Sequence, residues 1–247
     1  MSLLGSQMQH WVNVGLGLIY PEMCQLCRGQ RATPREGFVC STCWTEVQFI
    51  RPPFCGRCGL PFNGDITAAF ECTNCREGEF HFSSARAAVV AKTVVREAIH
   101  RFKYSRALWF ENFLAGLLLR EAVPALPRGD WDFIVPVPLH FLKKREREFN
   151  QAEILAQRLS DETRIPLGTR IIRRIVPTTT QTFLSREKRS TNMKGAFAVH
   201  HGIRLDGKRI IILDDILTTG ATTNACAQVL RGAGAVDVCV WTVARGI

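Results

Sequence analysis

From about residue 85 onwards, short apolar runs alternate with segments in which apolar residues recur at helical spacing. The runs predict buried strands, and the periodic segments predict helices. The predicted strands are 85–91, 133–137, 209–213 and 236–243; the predicted helices are 94–104, 109–122, 150–159 and 221–232, with Pro124 expected to stop the second helix. This alternation is typical of a parallel sheet covered by helices on both faces, so the region is predicted to be an α/β domain.

The preceding segment lacks this alternation but carries eight of the ten cysteines of the 247-residue chain. Each Cys-x-x-Cys turn directs two thiolates at one centre, and two turns supply the four soft ligands of a tetrahedral zinc ion. The cysteines therefore predict two closed Zn²⁺ sites with a structural role, because no coordination position is left for a substrate water. The four pairs are Cys24 and Cys27, Cys40 and Cys43, Cys55 and Cys58, and Cys72 and Cys75.

Disulfides, a redox Cys-x-x-Cys motif and iron–sulfur ligation are the alternatives to zinc. Cytosolic thiols stay reduced, and a redox motif needs a single pair. Iron–sulfur spacing is usually tighter and less regular than the 12 and 13 residues that separate these pairs. Zinc is favoured over all three. The simplest arrangement joins the pairs in chain order, and an interleaved arrangement stays open.

Charge divides the chain at nearly the same place as the cysteines. The net charge is −1 over residues 1–80 and +11 over residues 81–247. We therefore predict an apolar N-terminal segment over residues 1–20, a double zinc ribbon over 21–80 and the α/β domain over 81–247. The basic excess favours phosphorylated or polyanionic partners, although a solvated basic surface has the same composition.

The longest apolar window, residues 11–20, is too short to cross a bilayer as a helix. No Lys or Arg precedes it and no small-residue cleavage site follows it, so it does not resemble a secretory signal. The sequence therefore predicts a cytoplasmic protein without a transmembrane segment.

The predicted strand 209–213 leads into two acids and then into a loop of threonine and glycine that opens a helix. Backbone amides and hydroxyls at a helix N-terminus can hold a phosphate, whereas neighbouring carboxylates suit sugar hydroxyls or a bound Mg²⁺. Together they describe a site for a ribose 5-phosphate, with a capped turn as the structural alternative. The acids are Asp214 and Asp215, and the loop residues are Thr218, Thr219, Gly220, Ala221 and Thr222.

A second strand end carries a Val-Pro-Val-Pro turn that includes Pro136 and Val137. Its prolines impose an extended exit from the strand, and a basic cluster follows at Lys143, Lys144, Arg145 and Arg147. A rigid turn beside cations can hold pyrophosphate, and a solvated basic helix start is the alternative.

Between these two strand ends lies a polar and basic segment, residues 178–196, which includes Arg186, Lys188 and Arg189. Long loops of this kind in α/β enzymes often serve as lids. An ordinary mobile loop is the alternative.

The stretch Asp214–Thr222 resembles the signature with which type I phosphoribosyltransferases bind phosphoribosyl pyrophosphate (PRPP). The chain as a whole is similar to the ComF family of competence-related, phosphoribosyltransferase-like proteins. One departure is Glu148, at a position where that family usually has glycine. The other stretches that carry the similarity are the four cysteine pairs, Ile99–Tyr104, Val135–His140, Phe149–Gln151 and Gln181–Asn192.

The resemblance implies a type I phosphoribosyltransferase fold, a role in DNA uptake or use, and Mg²⁺ bound together with PRPP. It implies that Asp214 and Asp215 contact the ribose hydroxyls and that the loop of residues 218–222 holds the 5-phosphate. It assigns the pyrophosphate to the turn at Pro136 and Val137 and to the basic residues Arg186, Lys188 and Arg189.

Two functions from different classes follow. The first is a phosphoribosyltransferase, an enzyme of the glycosyltransferase class, acting on an acceptor that the sequence does not identify. The second is a non-catalytic sensor of PRPP or a nucleotide that binds single-stranded DNA as an adaptor in uptake. Phe102, Tyr104, Phe141 and Phe149 lie among basic residues and are candidates for base stacking, with membership of the core as the alternative. Zinc ribbons also recruit proteins, which here would include uptake or helicase machinery.

Overall fold

The computed structural model describes residues 22–62, 64, 70–127, 129–176 and 195–247. The strands in these residues are β1 (Ser84–Val90), β2 (Phe133–Pro136), β3 (Ile172–Arg174), β4 (Phe197–Val199), β5 (Arg209–Leu217) and β6 (Asp237–Arg245). The helices are α1 (Ser41–Thr45), α2 (Thr73–Glu77), α3 (Thr93–Tyr104), α4 (Glu111–Ala125), α5 (Phe141–Arg147), α6 (Gln151–Thr163) and α7 (Ala221–Gly232). Short 3-10 turns lie at Pro34–Glu36 and Leu108–Phe110.

Four of the described strands form a parallel sheet in the order β1-β6-β5-β2. The central strands β5 and β6 are buried along most of their length, as expected for strands covered on both faces. Helices α3, α4 and α6 pack on one face of the sheet, and α7 packs on the other. The predicted α/β architecture is confirmed.

Several predicted boundaries are wrong. Helix α6 ends at Thr163 rather than at residue 159, and β6 ends at Arg245 rather than at residue 243. β5 extends four residues beyond residue 213, because its pairing with β6 continues through Asp214 opposite Thr242 to Leu217 opposite Arg245. The acids therefore belong to the strand itself. Pro124 does not stop α4, which ends one residue later at Ala125. A proline in the last turn of a helix gives up one hydrogen bond while its backbone φ still fits, so the helix tolerates it.

Helix α5 and the antiparallel hairpin β3–β4 were not predicted from the sequence. The helix has seven residues and each strand has three, which is too short for a hydrophobic period to emerge. The two strands flank the polar segment 178–196, and residues 178–194 of that segment lie outside the described residues.

The cysteine-rich segment has few regular elements and packs directly on the α/β domain. The ring of Trp44 meets that of Phe113 on α4 edge-on, with centroids 4.9 Å apart. Further along, the backbone N–H of Ala85 on β1 donates to the carbonyl oxygen of Arg57 at 2.6 Å. No helix in the described part of the chain combines the length and the apolar character needed to cross a membrane.

Candidate ligand pocket and metal sites

A cavity of about 350 Å³ opens at the carboxyl ends of β2 and β5. Ligands of parallel α/β sheets bind at this edge, because strand ends and helix N-termini converge there. The acids and the loop predicted from the sequence line this one cavity. Its described lining residues are Lys103, Tyr104, Val137, Leu139, Lys143, Arg147, Asn150, Gln151, Ala152, Arg174 and the continuous stretch 214–223.

The other predicted site residues divide into two groups. Val137 lines the cavity, whereas Pro136, the last residue of β2, is not among the lining residues. Arg186, Lys188 and Arg189 lie outside the described residues, as does the N-terminal segment 1–20. Their predicted roles stay predictions.

The two adjacent acids differ in their surroundings. Asp215 is buried, with 2% exposure, and its Oδ1 and Oδ2 lie 2.9 and 2.8 Å from Nζ of Lys103 on α3. Asp214 is half-buried, and its Oδ1 accepts a hydrogen bond of 2.9 Å from the backbone N–H of Asp215. Lys103 thus occupies both oxygens of Asp215, and Asp214 is the acid with the more accessible carboxyl group.

Burial and the negative charge of Asp215 raise the pKa of Asp214 to about 7, although the ammonium group of Lys103 acts in the opposite direction. Burial by itself lowers the pKa of Lys103, but the charges of Asp215 and Asp214 outweigh it and the pKa is raised. Burial and the neighbouring carboxylate therefore disfavour ionised Asp214, and shifted pKa values of this kind cluster at functional sites.

Asp214→Asn should stabilise the folded protein at high pH. The folded-state pKa is raised from 3.8 to about 7, so ionisation of Asp214 disfavours folding as the pH rises through that interval. The full shift corresponds to about 4 kcal/mol, and partial exposure screens it. We expect the unfolding free energy to gain about 2 kcal/mol near pH 8 and to be unchanged below about pH 4. Denaturant titrations at both pH values measure the gain in unfolding free energy. The control is Asp206→Asn, which removes an acid from an exposed ion pair. A gain that is independent of pH would contradict the raised pKa of Asp214.

Four cations also face the cavity: Lys103, Lys143, Arg147 and Arg174. Burial, followed by the positive charges of Arg174 and Arg147, lowers the pKa of Lys143. Cations held this close repel one another, and an anionic ligand would relieve that repulsion. The sequence analysis included Lys143 and Arg147 in its basic cluster but missed Lys103 and Arg174. The position of Lys103 within the stretch Ile99–Tyr104 was a signal for the first. Arg174 follows Arg173 in a part of the chain for which no element was predicted, and it had no such signal.

The Phe149–Gln151 stretch connects α5 to the start of α6 and contacts the proline turn. Asn150 caps this helix by accepting from the backbone N–H of Ala152 at 3.2 Å, and its side-chain amide donates to the carbonyl oxygen of Val137 at 3.1 Å. The amide of Gln151 donates to the carbonyl oxygen of Lys103 at 3.2 Å. These two amides hold the turn, α6 and the end of α3 in one arrangement around the cavity.

Glu148 adopts the left-handed backbone conformation, with φ of 67°. This conformation costs an L-residue about 1–2 kcal/mol and is free of that cost for glycine. The glycine that the ComF resemblance leads one to expect here therefore has a physical reason, and the glutamate retains the same backbone turn. Its carboxylate forms an exposed ion pair with Arg106 at 3.0 Å and lies away from the described lining of the cavity.

Gly220 is the N-cap residue of α7, with a φ of 80°, and lies in the predicted phosphate loop. A Cβ atom at this position would make ordinary van der Waals contact with the rings of Phe80 and Phe82, at 3.6 and 3.8 Å. The hydroxyl of Thr223 donates to the carbonyl oxygen of Gly220 at 3.1 Å. The positive φ, rather than a lack of space for a side chain, is therefore the reason for glycine here.

The eight cysteines form two clusters, and chain order is the arrangement found. In each cluster the four Sγ atoms lie within 4.8 Å of one another. The Sγ atom of Cys24 is 3.7 Å from that of Cys43, and that of Cys58 is 3.7 Å from that of Cys72. Four sulfurs bound at about 2.3 Å to one tetrahedral ion stand about 3.8 Å apart, so the clusters fit Zn²⁺ and are too open for disulfides of about 2.05 Å.

Backbone N–H groups point at the sulfurs of both clusters. Cys40 donates to Sγ of Cys24 at 3.4 Å, and Cys72 donates to Sγ of Cys55 at 3.3 Å. Burial raises the pKa of these thiols, but the backbone donors outweigh it and lower the pKa of Cys24 to about 6 and that of Cys55 to about 7. In the same clusters burial raises the pKa of the other thiols that shift, those of Cys40, Cys43, Cys72 and Cys75. Zinc binds thiolates, so each cluster has one ligand that the backbone already favours in that form and others that lose their proton only when they bind the metal.

The parallel sheet, its acid pair and the two cysteine clusters define a protein with a type I phosphoribosyltransferase fold and an N-terminal double zinc ribbon. Residues 15–78 match the family described as "Double zinc ribbon domain", and residues 114–246 match the family described as "Phosphoribosyl transferase domain". The chain belongs to the ComF family, whose members carry both regions.

Three relatives illustrate the match. Competence protein F of Haemophilus influenzae is 31% identical over 228 residues, which cover 90% of this chain and 96% of that protein. DNA utilization protein YhgH of Escherichia coli is 32% identical over 235 residues, covering 92% and 99%. Competence protein ComFC of Bacillus subtilis is 27% identical over 253 residues, covering 93% and 97%. The predicted family membership is confirmed.

Proposed function

We propose that this protein binds PRPP with Mg²⁺ in the cavity at the end of the sheet and acts in DNA uptake or utilisation. One observation carries the binding proposal: two carboxylates, a threonine-rich helix N-terminus and four cations meet in a single cavity. The carboxylates match the ribose hydroxyls of PRPP, the helix N-terminus matches its 5-phosphate, and the cations match its pyrophosphate. The names of the relatives, which refer to competence and DNA utilisation, support the DNA context.

In this proposal the backbone amides and hydroxyls of residues 218–222 donate to the 5-phosphate at the N-terminus of α7. Asp214 accepts from the ribose hydroxyls because its carboxyl group is the accessible one. Asp215, held by Lys103, completes the acid end of the site. The oxygen donors of Asp214 and of the ribose fit a hard cation, and Mg²⁺ when bound supplies positive charge to the pyrophosphate leaving group.

The first candidate function is phosphoribosyl transfer. The bond between C1 of the ribose and the pyrophosphate oxygen breaks, and its electron pair leaves with the pyrophosphate. A nucleophilic acceptor forms a bond to C1 from the opposite face and releases its proton to solvent. The negative charge of Asp214 stabilises the positive charge that develops on the ring, while Lys143, Arg147 and Arg174 receive the departing pyrophosphate.

The second candidate is a PRPP or nucleotide sensor that binds single-stranded DNA. Tyr104 is 51% exposed beside the cavity, Phe141 is 61% exposed, and the guanidinium carbon of Arg147 lies 4.7 Å from the ring centroid of Tyr104. An exposed ring next to a cation is the arrangement on which bases stack. Phe102 and Phe149, by contrast, belong to the core, where their rings pack 5.8 Å apart.

Two further parts of the proposal concern the surroundings of the protein. The eight thiolate ligands require a reducing compartment, so the proposal places the protein in the cytoplasm. The zinc ribbons are the surface proposed to recruit uptake or helicase machinery.

Calorimetric titration with PRPP and Mg²⁺ tests the binding proposal. Asp214→Asn keeps the Lys103–Asp215 pair and removes only the accessible charge, so we expect it to weaken PRPP binding about 10- to 100-fold. Asp206→Asn, at an exposed ion pair, should bind like the wild type. Wild-type protein that does not bind PRPP would overturn the proposal.

A pyrophosphate-release assay then separates the two candidates. Release with a base, an amine or a nucleic acid as acceptor supports transfer, and loss of that release in Asp214→Asn supports it further. PRPP binding without release from any of these acceptors, together with salt-sensitive binding of single-stranded oligonucleotides, supports the sensor.

A further inference from the structure

Arg245, the last residue of β6, is buried with 7% exposure and lies behind the predicted phosphate loop. Its Nη1 donates to the carbonyl oxygens of Leu217 at 2.9 Å, of Gly246 at 2.7 Å and of Thr218. Leu217 and Thr218 are the residues through which β5 enters the loop. One nitrogen of Arg245 thus holds the point at which the strand ends and the loop begins.

The other terminal nitrogen of Arg245 faces the second cysteine cluster. Nη2 lies 3.9 Å from Sγ of Cys58, and no carboxylate is among the described partners of this guanidinium. A buried guanidinium is costly without a counter-charge. Four thiolates around one Zn²⁺ carry a net formal charge of about −2, so the loaded cluster supplies that counter-charge.

The chain that leaves the second cluster supports the loop from behind as well. Phe80 packs against this cluster, and its ring would lie 3.6 Å from a Cβ atom placed on Gly220. The next residue, His81, donates its backbone N–H to Oδ1 of Asn224 on α7 at 2.6 Å. The second cluster and the N-terminal turn of α7 therefore form one packed unit.

We propose that Arg245 is a positioning residue that couples the second zinc site to the phosphate loop, so that zinc at that site sets the affinity of the loop for a ribose 5-phosphate. When zinc leaves, the thiolates of the second cluster take up protons and the anionic counter-charge is lost. The guanidinium then shifts towards water, and the carbonyl groups of Leu217 and Thr218 lose their shared donor. This inference rests on the proposed binding of a phosphorylated ribose.

The first cysteine cluster provides an internal comparison. It packs against α4, where Trp44 meets Phe113, and the described hydrogen bonds of its sulfur atoms stay within residues 24–43. Zinc at the first cluster should therefore leave the loop unchanged.

Arg245→Gln, Arg245→Lys and the control Arg231→Gln test the coupling. Arg231 also donates to backbone carbonyl groups, those of His81 and Ala235, but it lies at the far end of α7.

In ligand-free protein, amide hydrogen exchange over residues 217–223 should quicken about tenfold in Arg245→Gln. Its affinity for ribose 5-phosphate should fall about tenfold while that for inorganic pyrophosphate is retained, and a chelator should release one of its two zinc ions faster. Arg245→Lys keeps the charge but loses the planar fork, so it should be intermediate.

The outcomes separate this inference from the proposed function. Unchanged loop exchange in Arg245→Gln, or an equal loss of affinity for ribose 5-phosphate and pyrophosphate, overturns the coupling. The same change in Arg231→Gln also overturns it, because the effect would then be merely structural. The wild type could bind neither ligand while amide exchange in the loop is still faster in Arg245→Gln than in the wild type. That result would overturn the proposed function and support the link between the zinc site and the loop.

Discussion

Removal of zinc should unfold the cysteine-rich segment and lower the stability of the whole chain. Structural zinc contributes about 10–16 kcal/mol to small Cys-based folds, which equals or exceeds the entire stability of most domains. The described part of this segment has two five-residue helices and no extended strands, so it has little regular hydrogen bonding of its own. The expected result is a metal content of about two zinc ions per chain, lost on chelation together with the near-ultraviolet dichroism of Trp44.

Single variants assign the metal to each cluster. Cys43→Ser should lose the zinc of the first cluster and Cys75→Ser that of the second, so each retains one ion. Cys226→Ser is the matched control, because this cysteine is buried in α7 and belongs to neither cluster. A purified wild type that carries no zinc and is unchanged by chelators would contradict the assignment.

Lys103→Ala should be among the most destabilising single substitutions in the α/β domain. It leaves the carboxylate of Asp215 2% exposed and without its ammonium partner. Removing one partner of a buried pair costs about 3–5 kcal/mol, whereas an exposed pair is worth about 0–1 kcal/mol. Denaturant titration measures the loss, and Arg204→Ala, which breaks an exposed pair with Asp206, is the matched control.

The pH dependence adds a second criterion. The pKa of Lys103 is raised in the folded state, so its contribution is fully present below the ordinary value of 10.5 and is lost only as the pH rises through the raised value. The destabilisation by Lys103→Ala should therefore persist at about pH 9. Pairing Lys103→Met with Asp215→Asn removes both charges and should restore part of the stability. A loss no greater than that of Arg204→Ala would contradict the buried pair.

The sequence predicted the features whose geometry depends on residues that lie close together in the chain. A Cys-x-x-Cys turn, an alternation of apolar runs with helical periods, and a run of strand, acids, threonines and glycine each encode their local geometry within a few residues. The spacing of Cys24 and Cys27 already favours a shared centre, and Gly220 already marks a backbone position that can take a positive φ. The fold class, the two metal sites and the edge of the sheet that carries the cavity followed from such patterns.

Interactions across long stretches of chain were decided by the tertiary structure alone. Lys103 meets Asp215 across 112 positions, and Arg245 meets Cys58 across 187. No local pattern encodes such contacts, because they depend on how helices and ribbons pack on the sheet. Packing also made the two aspartates unequal, because it buried Asp215 next to α3 and left Asp214 more accessible. The pairing of β5 with β6 continues to Leu217, so β5 is longer than its apolar run. Sequence determined which chemical groups this protein carries to the end of its sheet. The tertiary structure determined which of them pair with one another, as Lys103 and Asp215 do, and which line the cavity.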